Sequence, residues 1–194
     1  MPYKTREEWL KNAVTIINDE IFSQTEFRRK LPKQLLVSCG FPSRGALAVK
    51  KQRIGECWYP KSKEMHNIFI SPVLDDPSRV LDVLIHELCH VIAGPKAKHG
   101  GQFKRVAMAA GLSGKMTTTV AGPELKPRLN AFCRALGKYP HNPITAAMLA
   151  RRPKQGTRLL KVICPECEYT CRITQKWIEI GFPTCPCGWE MELG

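Results

Sequence analysis

Acidic residues are nearly missing from the middle of this chain. Between Leu88 and Pro165 the only carboxylate is Glu124, against fourteen Lys and Arg. Most of the acids lie earlier, from Glu7 to Glu87, and the formal net charge is +13 over 194 residues. A basic stretch this long and one-signed excludes an ordinary mixed surface and calls for a polyanionic partner, nucleic acid before anionic membrane. The chain also shows no apolar leader. Met1-Pro2-Tyr3-Lys4 runs straight into Arg6-Glu7-Glu8, so the expectation is an intracellular protein, in cytoplasm, nucleoid or nucleus. No apolar run reaches the roughly 20 residues a bilayer span needs, so no membrane partner is expected. The nine cysteines are an odd number, five of them after Lys161. Without an export signal this favours reduced thiols and metal ligation over disulfides.

What is present begins with a capping box, Thr5-Arg6-Glu7-Glu8, opening a helix to about Phe22. Trp9, Ala13, Ile16, Ile17 and Ile21 fall on its core stripe. Four strand-like segments follow: Leu35-Leu36-Val37-Ser38, Ala46-Leu47-Ala48-Val49, Glu56-Cys57-Trp58-Tyr59 and Asn67-Ile68-Phe69-Ile70-Ser71. Gly40, Pro42, Gly45, Gly55 and Pro60 punctuate them, and the expected result is a small antiparallel sheet. Cys39 and Cys57 read as packing residues, and His66 as a solvated residue in a charged turn.

Asp75-Asp76-Pro77 starts the next helix and Gly94-Pro95 ends it. Val80, Leu81, Val83, Leu84, Ile85, Leu88, Val91 and Ile92 make it apolar around most of its girth, so it is buried. Four polar groups interrupt that surface: Asp82, His86, Glu87 and His90. Each would cost roughly 2–7 kcal/mol if buried without a partner. His86-Glu87-Leu88-Cys89-His90 is a His-Glu-x-x-His pattern. On a helix, His86 and His90 share a face and can hold one zinc ion, with Glu87 placed to take a proton from a water beside it. Zinc then needs a third protein ligand. His99, next to Gly100-Gly101, is the nearest; Glu124 is the rival, although Gly122, Pro123 and Pro127 around it read as a helix start. A metzincin would need His six residues after His90, where Lys96 stands.

The chain closes on a second metal pattern. Cys164-Pro165-Glu166-Cys167 and Cys185-Pro186-Cys187-Gly188 are two knuckles whose four thiolates suit a structural zinc. Cys171 is left over as a strand residue or a substitute ligand. So short a segment needs its metal to fold. Candidate nucleic-acid contacts are Arg151, Arg152, Lys154, Arg158, Lys161, Arg172, Lys176 and Trp177, with Tyr169 as a further stacking residue. Trp177 and Trp189 equally suit a cover for the ribbon core.

On His86-Glu87-Leu88-Cys89-His90, His99-Gly100-Gly101-Gln102-Phe103, the strand Asn67–Ser71 and the basic tail with its four-cysteine ribbon, the chain resembles the SprT-like family. The resemblance implies an α+β architecture: a zincin-like metalloprotease domain over residues 1–150, a basic linker over 151–160 and a zinc ribbon over 161–194. It implies a DNA-dependent zinc metalloprotease that digests proteins bound or crosslinked to DNA; the chain is further expected to be a monomer, and its DNA single-stranded or a single–double-strand junction. Two zinc ions are implied, a catalytic one on His86, His90 and His99 with Glu87 as base, and a structural one on Cys164, Cys167, Cys185 and Cys187. The strand at Ile68-Phe69-Ile70 would pair with an extended substrate. Two other functions fit the same residues: a non-catalytic nucleic-acid-binding zinc protein tied to transcription, and a metalloprotease specific for one regulator.

Overall fold

A computed structural model describes residues 3–27, 31–32, 34–48, 50–59, 65–149 and 159–194. Arg151, Arg152, Lys154 and Arg158, and with them most of the expected linker, lie outside the described residues. The chain divides into two compact units, Met1–Ala146 and Ala147–Gly194. Among the described residues no helix is long and apolar enough to cross a membrane.

The first unit opens with α1 (Arg6–Glu20). Its capping box is complete: Thr5 Oγ1 accepts the Glu8 N–H, and the Glu8 carboxylate accepts the Thr5 N–H. Trp9, Ala13, Ile17 and Ile21 are buried, as helical spacing requires. Three strands follow, β1 (Leu35–Cys39), β2 (Gly55–Trp58) and β3 (His66–Ile70). Ala46-Leu47-Ala48 is a turn rather than the expected strand, and Val49 lies outside the described residues.

The sheet is mixed, which corrects the antiparallel expectation. Its order is β1-β3-β2, with β1 parallel to β3 and β2 antiparallel to it. The long connection 40–54 releases β1 from hairpin pairing with β2, so β3 slots between them. Because β3 is central, both its edges are already paired, and it cannot accept a substrate strand. Among the described residues the unpaired edges belong to β1 and β2, and β2 is the one packed against α2. His66 is half-buried and not in a charged turn: it opens β3 and packs edge-on against Tyr59, with ring centroids 5.7 Å apart.

Helix α2 (Pro77–Ala93) is the centre of the unit. Asp76 caps it by accepting the Arg79 N–H at 2.8 Å, and Pro77 supplies the first helical residue. Gly94 ends it at φ 81°, a conformation in which a side chain is strained. Val80, Leu81, Leu84, Ile85, Leu88 and Cys89 are fully buried against α1, the sheet and two further helices, α3 (Gly101–Ala109) and α4 (Leu125–Leu136). Between those helices a two-stranded hairpin, β4 (Leu112–Ser113) and β5 (Val120–Ala121), pairs Leu112 with Ala121.

A buried guanidinium ties the ends of this unit together. Arg6 is 5% exposed and donates to the carbonyls of Pro140 at 2.9 Å, Pro72 at 3.1 Å, His141 at 3.4 Å and Asn142 at 3.1 Å. Its plane also lies over the Tyr139 ring, 4.9 Å from the centroid. Arg6→Ala is expected to cost about 3–4 kcal/mol, since hydrogen bonds from a charged donor are worth roughly 1.5–3 kcal/mol each and do not add fully. Chemical denaturation would measure it. Arg6→Lys should recover little, because an ammonium cannot reproduce the planar fork.

The short helix α5 (Ala146–Leu149) lies at the division between the units. The second unit continues with β6 (Leu159–Ile163), β7 (Thr170–Thr174), α6 (Gln175–Ile178) and β8 (Glu192–Leu193). The sheet order is β7-β6-β8, all antiparallel. Its core is very small: Val162, Cys164, Cys185 and Met191 are buried, with Cys171, Ile173, Ile178 and Phe182 packed beside them. Trp177 and Trp189 are more than half exposed and do not cover that core.

Candidate metal centres and the cleft

Three imidazoles from two elements converge. α2 places His86 and His90 one turn apart, and the turn after Gly94 swings His99 back over them. His99 Nε2 lies 3.1 Å from His90 Nε2 and 3.3 Å from His86 Nε2. All three rings therefore turn the same nitrogen toward one point, as ligands of a single ion do. Phe103, fully buried in the first turn of α3, packs against all three rings at centroid distances of 4.9, 4.3 and 5.0 Å. Glu124 stands outside this cluster, exposed at the start of α4.

Burial pulls His86 down to about 4, helped by the charges of His99 and Arg79, and His90 to about 3, helped by His86 and His99. Burial lowers His99 as well. Neutral imidazoles with inward lone pairs suit a divalent cation. His86 Nδ1 lies 2.8 Å from the Thr119 hydroxyl, and the Tyr59 hydroxyl donates to the His90 carbonyl at 2.7 Å. Tyr59 thus braces the end of α2 and is not free to donate to a reacting group as it stands.

Glu87 sits beside the cluster, 6% exposed, and among the described residues nothing hydrogen-bonds to its carboxylate. Burial pushes it up to about 8; the neighbouring Glu56 adds to the shift and Arg53 opposes it. A carboxyl raised in this way is poised for proton transfer near neutral pH. The space it occupies exists because β2 begins with glycine. A Cβ at Gly55 would lie 2.5 Å from Glu87 Oε1 and 2.6 Å from Val83 Cγ1. Gly55→Ala is therefore expected to displace the Glu87 side chain and to destabilise the fold by about 1–3 kcal/mol. Thermal melting would read the second effect, and a crystal structure of the variant the first. In the sequence, Gly55 reads only as turn punctuation.

His86, Glu87, His90 and His99 open into a cleft of about 690 Å³. Its lining includes the start of β2, Thr117, Thr118 and Thr119, and the basic residues Lys51, Arg53, Arg79 and Lys98. Arg53 is tied to Glu56 at 2.6 Å and Arg79 to Asp82 at 3.5 Å. Asp82, grouped by sequence with the motif, does not join the imidazoles. It accepts the Ala121 N–H at 2.8 Å.

The second unit carries the other cluster. Cys164 Sγ lies 3.5 Å from Cys187 Sγ, and Cys167 Sγ 3.4 Å from Cys185 Sγ. The four sulfurs form one group on two turns, closed by Glu168 N–H to Cys164 O and Gly188 N–H to Cys185 O. The donor set, four thiols and nothing else, suits structural zinc. Cys171 lies in β7 and packs on the core instead. Of the expected nucleic-acid contacts within the described residues, Lys161 and Arg172 face each other across β6 and β7. Lys176 Nζ lies 5.1 Å over the Trp177 ring.

The sequence model of the SprT-like family matches residues 16–122, from the last turns of α1 to the residue after β5. The chain is also 32% identical over 93 residues to the human (Homo sapiens) germ cell nuclear acidic protein. That alignment takes in 45% of this chain and 13% of the relative, so the chain spans only a small part of that protein's length. No solved structure matches the chain.

Proposed function

The chain belongs to the SprT-like family, and from that premise we propose that it is a zinc-dependent, zincin-like peptidase acting on proteins held on DNA, including crosslinked ones. The observation that carries the reading is the convergence of three Nε2 atoms beside a buried, strongly shifted carboxyl at the wall of an open cleft. A structural role for the imidazoles would not call for Glu87.

The chemistry follows from the residues. His86, His90 and His99 hold the ion; Glu87 takes a proton from the attacking water and passes it to the leaving amine. Zinc bound there would supply Lewis acidity to that water and to the scissile carbonyl. The free edge of β2 can bind an extended peptide by main-chain hydrogen bonds, antiparallel or parallel, and Gly55 keeps that edge close to Glu87. Binding through the main chain gives little side-chain selectivity, so the substrate is chosen by where DNA brings it.

The DNA part rests on charge and on the ribbon. Formal net charge is +13. Lys161 and Arg172 are like charges directly opposite on an exposed sheet face, an arrangement that destabilises a sheet unless an anion sits on it. Trp177, half exposed beside Lys176, offers a stacking surface for a base of a single strand or junction. The ribbon is held by a second zinc, and the protein works as an intracellular monomer.

The test uses the full-length, zinc-loaded chain and a DNA-binding protein as substrate, without DNA and with single-stranded, double-stranded or junction DNA. Cleavage that rises with DNA is expected. Cleavage of equal rate with and without DNA would remove the DNA requirement, and no cleavage under any condition would overturn the peptidase reading. Cleavage of one regulator alone, among many DNA-bound proteins, would favour the narrow protease instead.

A further inference from the structure

We infer that Thr119 is a positioning residue: its hydroxyl fixes the ring and tautomer of His86 for metal binding, and Asp82 holds Thr119 in place through β5. The inference rests on reading the three imidazoles as a zinc site, and concerns residues outside the His-Glu-x-x-His pattern.

A neutral imidazole has two tautomers, and only the one protonated at Nδ1 leaves Nε2 free for a metal. His86 turns Nε2 toward His99, so Nδ1 must carry the proton and needs an acceptor. Thr119 Oγ1 is that acceptor at 2.8 Å, on a residue only 4% exposed. Thr119 is itself almost wholly buried, although His86 lines the cleft. Among the described residues neither His90 nor His99 has a protein partner at Nδ1. Phe103 restrains all three rings by contact, but contact does not select a tautomer. His86 is thus the imidazole whose tautomer a protein hydrogen bond selects.

Thr119 immediately precedes β5, a strand of two residues that cannot hold its own position. Two bonds pin it. Ala121 pairs with Leu112 of β4, and the Ala121 N–H donates to Asp82 Oδ1 at 2.8 Å. Asp82 lies four residues before His86, on the same face of α2. The helix that carries the ligand therefore also carries the anchor of the ligand's hydrogen-bond partner. The circuit runs from Asp82 through Ala121 and Thr119 back to His86, and it fixes the hairpin and the imidazole in one register. It also gives Asp82, a half-buried carboxylate with no place at the metal, a defined task.

Cobalt(II) titration of the full-length chain tests this without any activity measurement. A four-thiolate site gives sulfur-to-metal charge-transfer bands, whereas an imidazole site gives only ligand-field bands, so the two sites are read separately. Thr119→Val, which keeps the shape and loses the hydroxyl, is expected to weaken cobalt at the imidazole site by about 10–100-fold and leave the ribbon bands unchanged. Thr119→Ser should restore most of the affinity. Asp82→Ala combined with Thr119→Val should lose less than the two single losses together, because both act on one hydrogen bond. Wild-type affinity in Thr119→Val, or Thr119→Ser as weak as Thr119→Val, would overturn the inference while leaving the metal site standing. Absence of any imidazole-type band in the wild-type chain would overturn the metal site and the inference with it.

Discussion

Glu87→Gln is expected to lower peptide hydrolysis by about 10²–10⁴-fold, the range for losing a positioned general base. The same variant should still take up metal at both sites. The two halves of that expectation have different causes. Glutamine has the shape of the glutamate and fits the pocket that Gly55 leaves open, so the imidazoles and Phe103 have no reason to move. What it lacks is a carboxylate oxygen that can accept the proton of the attacking water. Glu87 is 6% exposed and its carboxyl receives no hydrogen bond among the described residues, so folding loses no bonded partner there. The substitution should be neutral or mildly stabilising in the metal-free protein, because it removes a carboxylate whose ionisation burial opposes. Parallel measurement of turnover, metal content and melting temperature checks all three. A variant that keeps most of its activity would place the base elsewhere.

Cys164→Ser combined with Cys167→Ser should unfold the ribbon while the first unit stays intact. Among the described residues the second unit buries only Val162, Cys164, Cys185 and Met191, and two of those four belong to the proposed ligand set. Such a core cannot offset the entropy of ordering its strands, at about 1–2 kcal/mol of backbone entropy per residue. Apparent zinc binding of roughly 10–16 kcal/mol, as in zinc-finger peptides, supplies the difference. Zinc content should fall from two ions per chain to one, and amides over 159–193 should lose protection from hydrogen exchange. The first unit has its own continuous core around Trp9, Leu84, Phe103 and Leu129, and its exchange should not change. DNA affinity should fall with the ribbon, and with it the stimulation of cleavage. Protection that persists over β6 and β7 in the double variant would show that the ribbon folds without its metal.

Signals that lie within one element are legible in the sequence. The Thr5 capping box, the Asp76-Pro77 start and Gly94 stop of α2, and the His and Cys spacings all depend on residues a few positions apart, and the helix boundaries fall where those residues put them. Pairing is less legible, because a strand's partner is set by chain closure and not by its own pattern. Leu35–Cys39 and His66–Ile70 read as strands, but nothing in either says that they run parallel or that β3 lies between the others. Ala46-Leu47-Ala48 is apolar enough for a strand yet sits beside Gly45 in a turn that supplies its bonds locally, Ala48 N–H to Gly45 O. In the site, spacing and chemistry point to His86, Glu87, His90 and His99. They do not point to Thr119, because a hydroxyl that meets its imidazole 33 positions away leaves no local trace. Gly55 escapes for a related reason: its missing Cβ is explained by a side chain on another element.

The Arg6 clip has a consequence for how the protein is made. Its guanidinium, at the first turn of the first helix, waits for carbonyls 134 to 136 positions further along the chain. During synthesis from the N-terminus, α1 is complete long before those acceptors exist. Until Asn142 has left the ribosome, the guanidinium has only its earlier partners, Cys39 Sγ and the Pro72 carbonyl, and lacks the three carbonyls that complete its shell. Fragments ending before Tyr139 therefore lack three of the carbonyls that hold Arg6, although they contain the imidazoles and Glu87.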